Sequence, residues 1–381
     1  MNIFKGMGRV NKFTCPYCYG EHTINTCGLK CSFNIPGAEI ICKSGVTKDK
    51  DGWIPEISKS KCLRCREAYK HIFCETIKKE IPSSFLSGTS LPIALIGAKE
   101  SGKSNYIAVL INEIRKKMTS KFNCTLDIGC SEESKKYYDD YYYSPVYQNG
   151  CAVEVTDAGV IPPLIFPLRF MDSRNRIKNV ATLTFYDTAG ENLDSNDNME
   201  VYNRYIPNSK GIILLLDPLQ VPSIRKQLQG KMSLPAIRTD VAEILSRVIA
   251  NIRNIKNING TIKIPLALAF TKMDALEQFD ILPPDSCLRE ESEHLKQGGF
   301  VLSDFENTNI EMRDILENWL DEEVVQMMKQ FSKYSIFGLS ALGGVPNGSK
   351  LSGGEVHPRR VLDPLLWLLA ENKYIKTIGR R

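Results

Sequence analysis

Short runs of continuous apolar residues alternate along this chain with stretches whose apolar positions recur every three to four residues. Residues 91–96, 164–170, 180–186, 211–216, 265–270 and 334–339 have the length and composition of strands. Ile107, Leu110, Ile111, Ile114 and Met118 share one face of a helix, as do Val241, Ile244, Leu245, Val248, Ile249 and Ile252. The run 211–216 is apolar throughout, as expected of a parallel strand buried on both faces. Strands alternating with helices predict an α/β domain with right-handed crossovers, a mostly parallel sheet and ligand loops at the strand C-termini. Residues 76–90, rich in Pro, Ser and Gly, read as a linker, so the chain divides into a module over 1–85 and a domain over 86–381.

Composition changes the picture mainly at the N-terminus. Residues 1–85 carry 14 Lys and Arg against 8 Asp and Glu, so the whole-chain charge of +5 is concentrated there. Solvated lysines are the simplest explanation, and a nucleic-acid contact is the less favoured one. Eight of the 12 cysteines lie in the first 74 residues. The N-terminus lacks the apolar core of a signal peptide, and no run approaches the ~18 apolar residues of a membrane span, which predicts a cytoplasmic protein. In a reducing compartment, clustered cysteines point to metal rather than disulfides.

Cys15-Pro-Tyr-Cys18 and Cys62-Leu-Arg-Cys65 are two C-x-x-C knuckles, each able to present two thiolates to one ion. Two assignments compete. In the favoured one, Cys15, Cys18, Cys62 and Cys65 share a structural zinc. In the other, Cys15 and Cys18 pair with Cys27 and Cys31, while Cys62 and Cys65 join Cys42, His71 or Cys74.

The domain opens on Gly97-Ala-Lys-Glu-Ser-Gly-Lys-Ser104, between a predicted strand and a predicted helix. Glycines bounding such a loop let backbone N–H groups and a helix N-terminus converge on a phosphate. Asp187-Thr-Ala-Gly190-Glu191 follows the strand at 180–186, where a carboxylate can serve Mg²⁺ beside the Ser104 hydroxyl and the Gly190 N–H can approach a γ-phosphate. Thr271-Lys-Met-Asp274 and Ser340-Ala-Leu342 each follow a strand; the Asp274 carboxylate can accept from guanine N1–H and its exocyclic amine, a donor pair adenine lacks. The tyrosine-dense stretch at 137–147 reads as an insertion packed by its own rings, or as a surface for a partner.

These motifs, in this order, resemble those of Ras-like and translation-factor-type GTPases of the TRAFAC class. With the N-terminal knuckles and the run at 358–369, the chain more narrowly resembles bacterial double-GTPase-type proteins associated with conflict or defence systems. The resemblance implies a Ras-like P-loop GTPase domain with a zinc-ribbon-like module before it, binding GTP or GDP with Mg²⁺. Nucleotide contacts would come from Gly97, Lys99, Glu100, Ser101, Gly102, Lys103, Ser104 and Asn105, and base contacts from Thr271, Lys272, Asp274, Ser340, Ala341 and Leu342. Ser104, Asp187 and Thr156 would serve Mg²⁺, and Lys103, Gly190, Glu191 and Thr156 the γ-phosphate.

Three departures qualify the implied activity. Glu191 stands where Ras-like enzymes carry a glutamine, which predicts slow hydrolysis. Thr271 replaces the commoner asparagine and is expected to lose that residue's bridge to the phosphate loop. The loops at 277–308 and 343–358 are enlarged. The leading expectation is a slow GTP-hydrolysing switch acting on an effector. A nucleotide-locked interaction module and a nucleic-acid-associated GTPase are the alternatives.

Overall fold

The computed structural model describes residues 13–23, 27–31, 48–49, 52–53, 69–74, 76–77, 79–81, 85, 89–97, 101–128, 132–153, 163–185, 204–236, 241–319 and 322–379. Its centre is a seven-stranded mixed sheet. In chain order the strands are β1 (Thr89–Gly97), β2 (Cys124–Leu126), β3 (Leu164–Met171), β4 (Ile177–Phe185), β5 (Gly211–Leu216), β6 (Leu266–Phe270) and β7 (Tyr334–Gly338). They lie in the spatial order β7-β6-β5-β1-β4-β3-β2. All pairs from β4 through β1, β5 and β6 to β7 are parallel, while β3 runs antiparallel to both β4 and β2. The fold is therefore α/β with a mostly parallel sheet, as the apolar rhythm predicts. β1 starts at Thr89, inside the stretch that reads as linker.

Side chains alternate across the sheet with a period of two, and both faces are buried. Leu91, Ile93, Leu95, Ile213, Leu215, Ala267 and Ala269 face one core; Ala94, Ile96, Ile212, Leu214, Leu216, Leu266, Leu268 and Phe270 face the other. The first core is covered by α1 (Lys103–Glu113), the second by α2 (Val241–Lys256), each through the face expected of it. A short α3 (Met273–Gln278) leaves β6, and α4 (Leu302–Trp319) adds Met312 and Leu316 to the second core. The last helix, α5 (Asp363–Glu371), is buried along nearly its whole length because it lies on the first face.

α1 is buried beyond its expected stripe, including Tyr106, Ala108 and Val109. The cover comes from the tyrosine-dense segment. Tyr138 stacks on Tyr142, and its hydroxyl donates to the Ala108 carbonyl at 3.1 Å. Arg115 and Lys116 lie over the rings of Tyr143 and Tyr147. Most of these rings thus pack on the domain itself, while Tyr141 remains 59% exposed.

The seat of α5 is set by Gly211, the first residue of β5, where a Cβ would come within 2.7 Å of Leu368 Cδ2. Leu368→Ala should lower the unfolding free energy by about 2–5 kcal/mol. Gly211→Ala alone should also destabilise, and the double variant should cost less than the sum because the new methyl enters the vacated space. Urea unfolding midpoints check both expectations.

Candidate nucleotide site and cysteine cluster

The end of β1 shows why the loop needs glycine at both ends. β1 and β5 run side by side with Gly97 opposite Leu215. A Cβ on Gly97 would sit 2.9 Å from the Leu215 carbonyl and 2.4 Å from Ser101 Oγ, because the chain turns back on itself there. Gly102 has open space around it but adopts φ 87°, a left-handed conformation costly for other residues. It caps α1 without any side-chain cap and with no acidic residue in the first turn. The N-terminus of α1, with its positive dipole end, therefore faces this loop without a carboxylate of its own.

Lys103 is buried, and its ammonium donates to the Gly97 carbonyl at 3.0 Å, folding over the loop it belongs to. Ser101 is also buried. Ser104 lies half-buried in the first turn of α1. The Asn105 side-chain oxygen accepts from the Val153 N–H at 2.8 Å, which ties the segment at 151–153 to the start of α1. Lys99 and Glu100 lie outside the described residues, as do Thr156, Asp187, Gly190 and Glu191.

The segments at 271–274 and 340–342, expected to read a base, are brought to the same edge. Thr271 is buried at the end of β6, and its hydroxyl lies 2.9 Å from the Ser101 carbonyl and 3.1 Å from the Leu216 carbonyl. The bridge expected to be lost with asparagine is therefore present, in a different form. A threonine reaches because the two backbones are close enough for a one-carbon hydroxyl, although its single proton can serve only one carbonyl fully at a time.

Lys272 takes φ 54°, and its ammonium pairs with the buried Asp217 carboxylate at 2.6 Å. Asp217 also accepts from the Leu219 N–H, capping the turn after β5. The Asp274 N–H donates to Ser340 Oγ at 2.8 Å. Burial raises the Asp274 carboxyl above the usual carboxylate range, with Glu277 adding to the rise, while a hydrogen bond with Ser340 and the charge of Arg359 oppose it. Such a carboxylate gains from any ligand that offers it N–H donors.

Sequence reasoning missed what holds the Ser340 loop. Ser340 and Arg359 exchange backbone hydrogen bonds in both directions, and the Arg359 guanidinium pairs with Glu277 at 2.5 Å, just beyond Asp274. Next to it, Arg360 is buried between Asp304 of α4 and Asp363 of α5, at 3.1 and 3.0 Å. The basic pair in the run at 358–369 is thus the anchor of the loop at 340–342. Ala341 is buried, while the Leu342 carbonyl accepts from the His357 N–H. The enlarged loop at 343–358 also reaches the segment before Val153, through Ala152 N–H to Ser349 O and Leu351 N–H to Gly150 O.

In the N-terminal module, Cys15 Sγ, Cys18 Sγ, His22 Nε2 and Cys74 Sγ all lie within 4.8 Å of one another. Cys18 and His22 approach to 2.9 Å, and Cys74 and His22 to 3.9 Å. Cys18 is pulled down to about 3, first by its hydrogen bond with Cys15 and then by His22, while Cys15 is pushed up by the same contact and by burial. Cys62 and Cys65 lie outside the described residues. His22 was not legible as a candidate; its only signal is a spacing of three residues after the first knuckle.

No family model matches the chain. A Mycolicibacterium smegmatis protein described as "Putative ESX-1 scaffolding and assembly protein SaeC" is 24% identical over 334 residues, 81% of this chain and 82% of that protein. Among solved structures, the Trypanosoma brucei Arl6 BBS3 small GTPase with GppNp is 14% identical, with 76% of this chain and all of that one covered, at a TM-score of 0.30. The S. cerevisiae Ski7 GTPase-like domain bound to GDP and phosphate is 14% identical, with 76% of this chain and 52% of that one covered, at a TM-score of 0.34. Among the described residues, no helix is long and apolar enough to cross a membrane.

Thr271→Val removes the bridging hydroxyl at nearly constant shape and should cost about 1–3 kcal/mol of stability, with Thr271→Ser recovering most of it. Chemical denaturation of the three proteins decides; equal midpoints for all three would remove the bridge from the account.

Proposed function

We propose that this protein is a guanine-nucleotide switch that binds GTP and GDP with Mg²⁺ and hydrolyses GTP slowly. The observation that carries the reading is the convergence on Ser101: one residue of the glycine-bounded phosphate loop is bridged by Thr271, three residues from the half-buried Asp274 carboxylate. In this reading the bridge would fix the site for phosphates relative to the site for a base.

In this reading the α1 N-terminus and the loop amides would hold the β- and γ-phosphates, and Lys103 would exchange its Gly97 carbonyl for phosphate oxygen. Ser104, Asp187 and Thr156 are the residues that would hold Mg²⁺, which when bound neutralises charge on the phosphates. Asp274 would select guanine, with Ala341 offering its backbone N–H to the guanine carbonyl while the Ser340 N–H stays bonded to Arg359. Gly190 and Thr156 would sense the γ-phosphate, and Glu191 would orient water less well than an amide can, because a fixed negative charge there opposes the phosphate's own. The cysteine module would hold a structural zinc and carry the output to an effector.

The name of the M. smegmatis relative favours a role in assembling a bacterial multi-protein system. A defence association rests on the motif resemblance alone. Glu191 is what favours a second reading, a nucleotide-locked module, and multiple-turnover phosphate release separates the two: a flat time course with tight nucleotide binding selects the locked module.

Lys103→Ala should reduce GDP and GTP affinity by at least two orders of magnitude, read by fluorescent-nucleotide titration. Asp274→Asn should weaken GDP binding and gain affinity for xanthosine diphosphate, whose 2-carbonyl can accept from the new carboxamide. Unchanged GDP affinity in either variant would remove that residue's assignment. Guanine donors favour ionised Asp274, and the free site holds its proton to a higher pH than usual. GDP affinity should therefore fall as pH drops through this raised range, and Asp274→Asn should flatten the dependence.

A further inference from the structure

Three thiols and one imidazole nitrogen converge here, three of them from residues 15–22 and the fourth from Cys74, more than fifty residues on. A disulfide would use two of the sulfurs and give no role to the third thiol or to the imidazole that both Cys18 and Cys74 approach. A tetrahedral zinc with arms of ~2.0–2.3 Å places its ligand atoms about 3.3–3.8 Å apart. The observed Cys18–His22 and Cys74–His22 separations of 2.9 and 3.9 Å bracket that range, and the remaining separations stay within 4.8 Å. Cys15 and Cys74 are fully buried, so water has no obvious way to complete the shell.

The surroundings have the build of a metal knuckle. The Tyr17 N–H points at Cys15 Sγ at 3.4 Å, and the turn is closed by Cys15 N–H to Gly20 O and Tyr19 N–H to Cys15 O. Cys74 reaches the cluster from the end of the strand Tyr69–Cys74, held by its N–H to the Lys79 carbonyl at 2.9 Å.

The turn also grips the nucleotide-binding domain. Tyr19 takes φ 60°, an unfavourable conformation for a residue with a side chain that persists only where the surroundings impose it. Its ring packs on Tyr205 with centroids 5.9 Å apart, and its carbonyl accepts from Asn208 Nδ2 at 2.9 Å. The Tyr205 hydroxyl in turn donates to the Ile93 carbonyl of β1, the strand that feeds the phosphate loop. Phe13, before the knuckle, packs on Phe85 just ahead of β1.

We propose that Cys15, Cys18, His22 and Cys74 close a tetrahedral shell around one zinc ion, and that this ion holds Tyr19 as a clasp on residues 205–208 of the nucleotide-binding domain. The proposal refines the zinc of the proposed function by naming its ligands and giving it a structural task, and it does not depend on guanine specificity. The shell is closed by protein atoms, so the ion is structural.

The test replaces the bound metal in the full-length chain with Co²⁺ and reads its thiolate charge-transfer and d–d bands. His22→Cys should retain the ion and move the bands from those of an S₃N shell to those of S₄. A Cys62→Ser, Cys65→Ser double variant should keep the His22-dependent bands. Bands unmoved by His22→Cys, loss of those bands in the double variant, or a chain that binds no metal would each overturn the ligand set. The clasp is read separately, by hydrogen exchange of backbone amides across residues 204–212 with and without chelator. Faster exchange after metal removal supports it, and unchanged exchange overturns it. Neither readout uses nucleotide, so a failure here is distinct from a failure of guanine binding.

Discussion

The hydrogen bond from the Thr271 hydroxyl to the Ser101 carbonyl joins two loops that lie 170 residues apart in sequence. A loop that offers backbone amides to phosphate is only useful if whatever reads the rest of the ligand stands at a fixed distance from it. Here that distance is set in the sheet itself: β1, β5 and β6 are parallel neighbours, so their C-terminal ends emerge at one edge. Thr271 then ties the end of β6 to the loop at the end of β1 through a single rotatable side chain. Its N–H also bonds the Leu216 carbonyl at the end of β5, so all three strand ends meet around one residue.

The second layer of support lies farther along the chain. Asp274 is held through Ser340, Ser340 through the backbone of Arg359, and the following Arg360 is buried between two carboxylates on α4 and α5. A buried guanidinium with two acceptors is costly to form and costly to break, because removing one partner strands the other charge. That suits a residue whose task is to fix the place where a loop leaves the core. On the other flank, Asn105 and the loop at 343–358 both bond the segment at 150–153. The start of α1 and the loop after β7 are thus braced against the same short stretch of backbone.

Much of this was legible in the sequence because it depends on local rules. Continuous apolar runs marked β1 and β3 to β7, helical spacing marked the buried faces of α1 and α2, and the two glycines of the loop at 97–104 are required by a close approach and by a positive φ that the structure displays. What was not legible depends on contacts distant in sequence. β2 is a three-residue edge strand with no periodicity to detect, and α4 buries Thr308 and Asn309 among few apolar residues. His22 could not be told from an ordinary surface histidine until Cys74 arrived beside it from the far side of the module. The Thr271 bridge is invisible in the sequence because the distance between the two backbones, which decides whether a side chain shorter than asparagine reaches, is set by the whole sheet.

The central claim is that the loop at 97–104 and the residues at 271–274 and 340–342 form one site for a guanine nucleotide. The most direct measurement is competition against a bound fluorescent GDP analogue in the presence of Mg²⁺, comparing GDP, ADP and inorganic pyrophosphate on the full-length chain. GDP should displace the probe at concentrations at least about a hundredfold below ADP, because ADP leaves the half-buried Asp274 carboxylate unpaired and forfeits about 3 kcal/mol. Equal displacement by GDP and ADP would contradict it, leaving a phosphate loop with no base selection behind it.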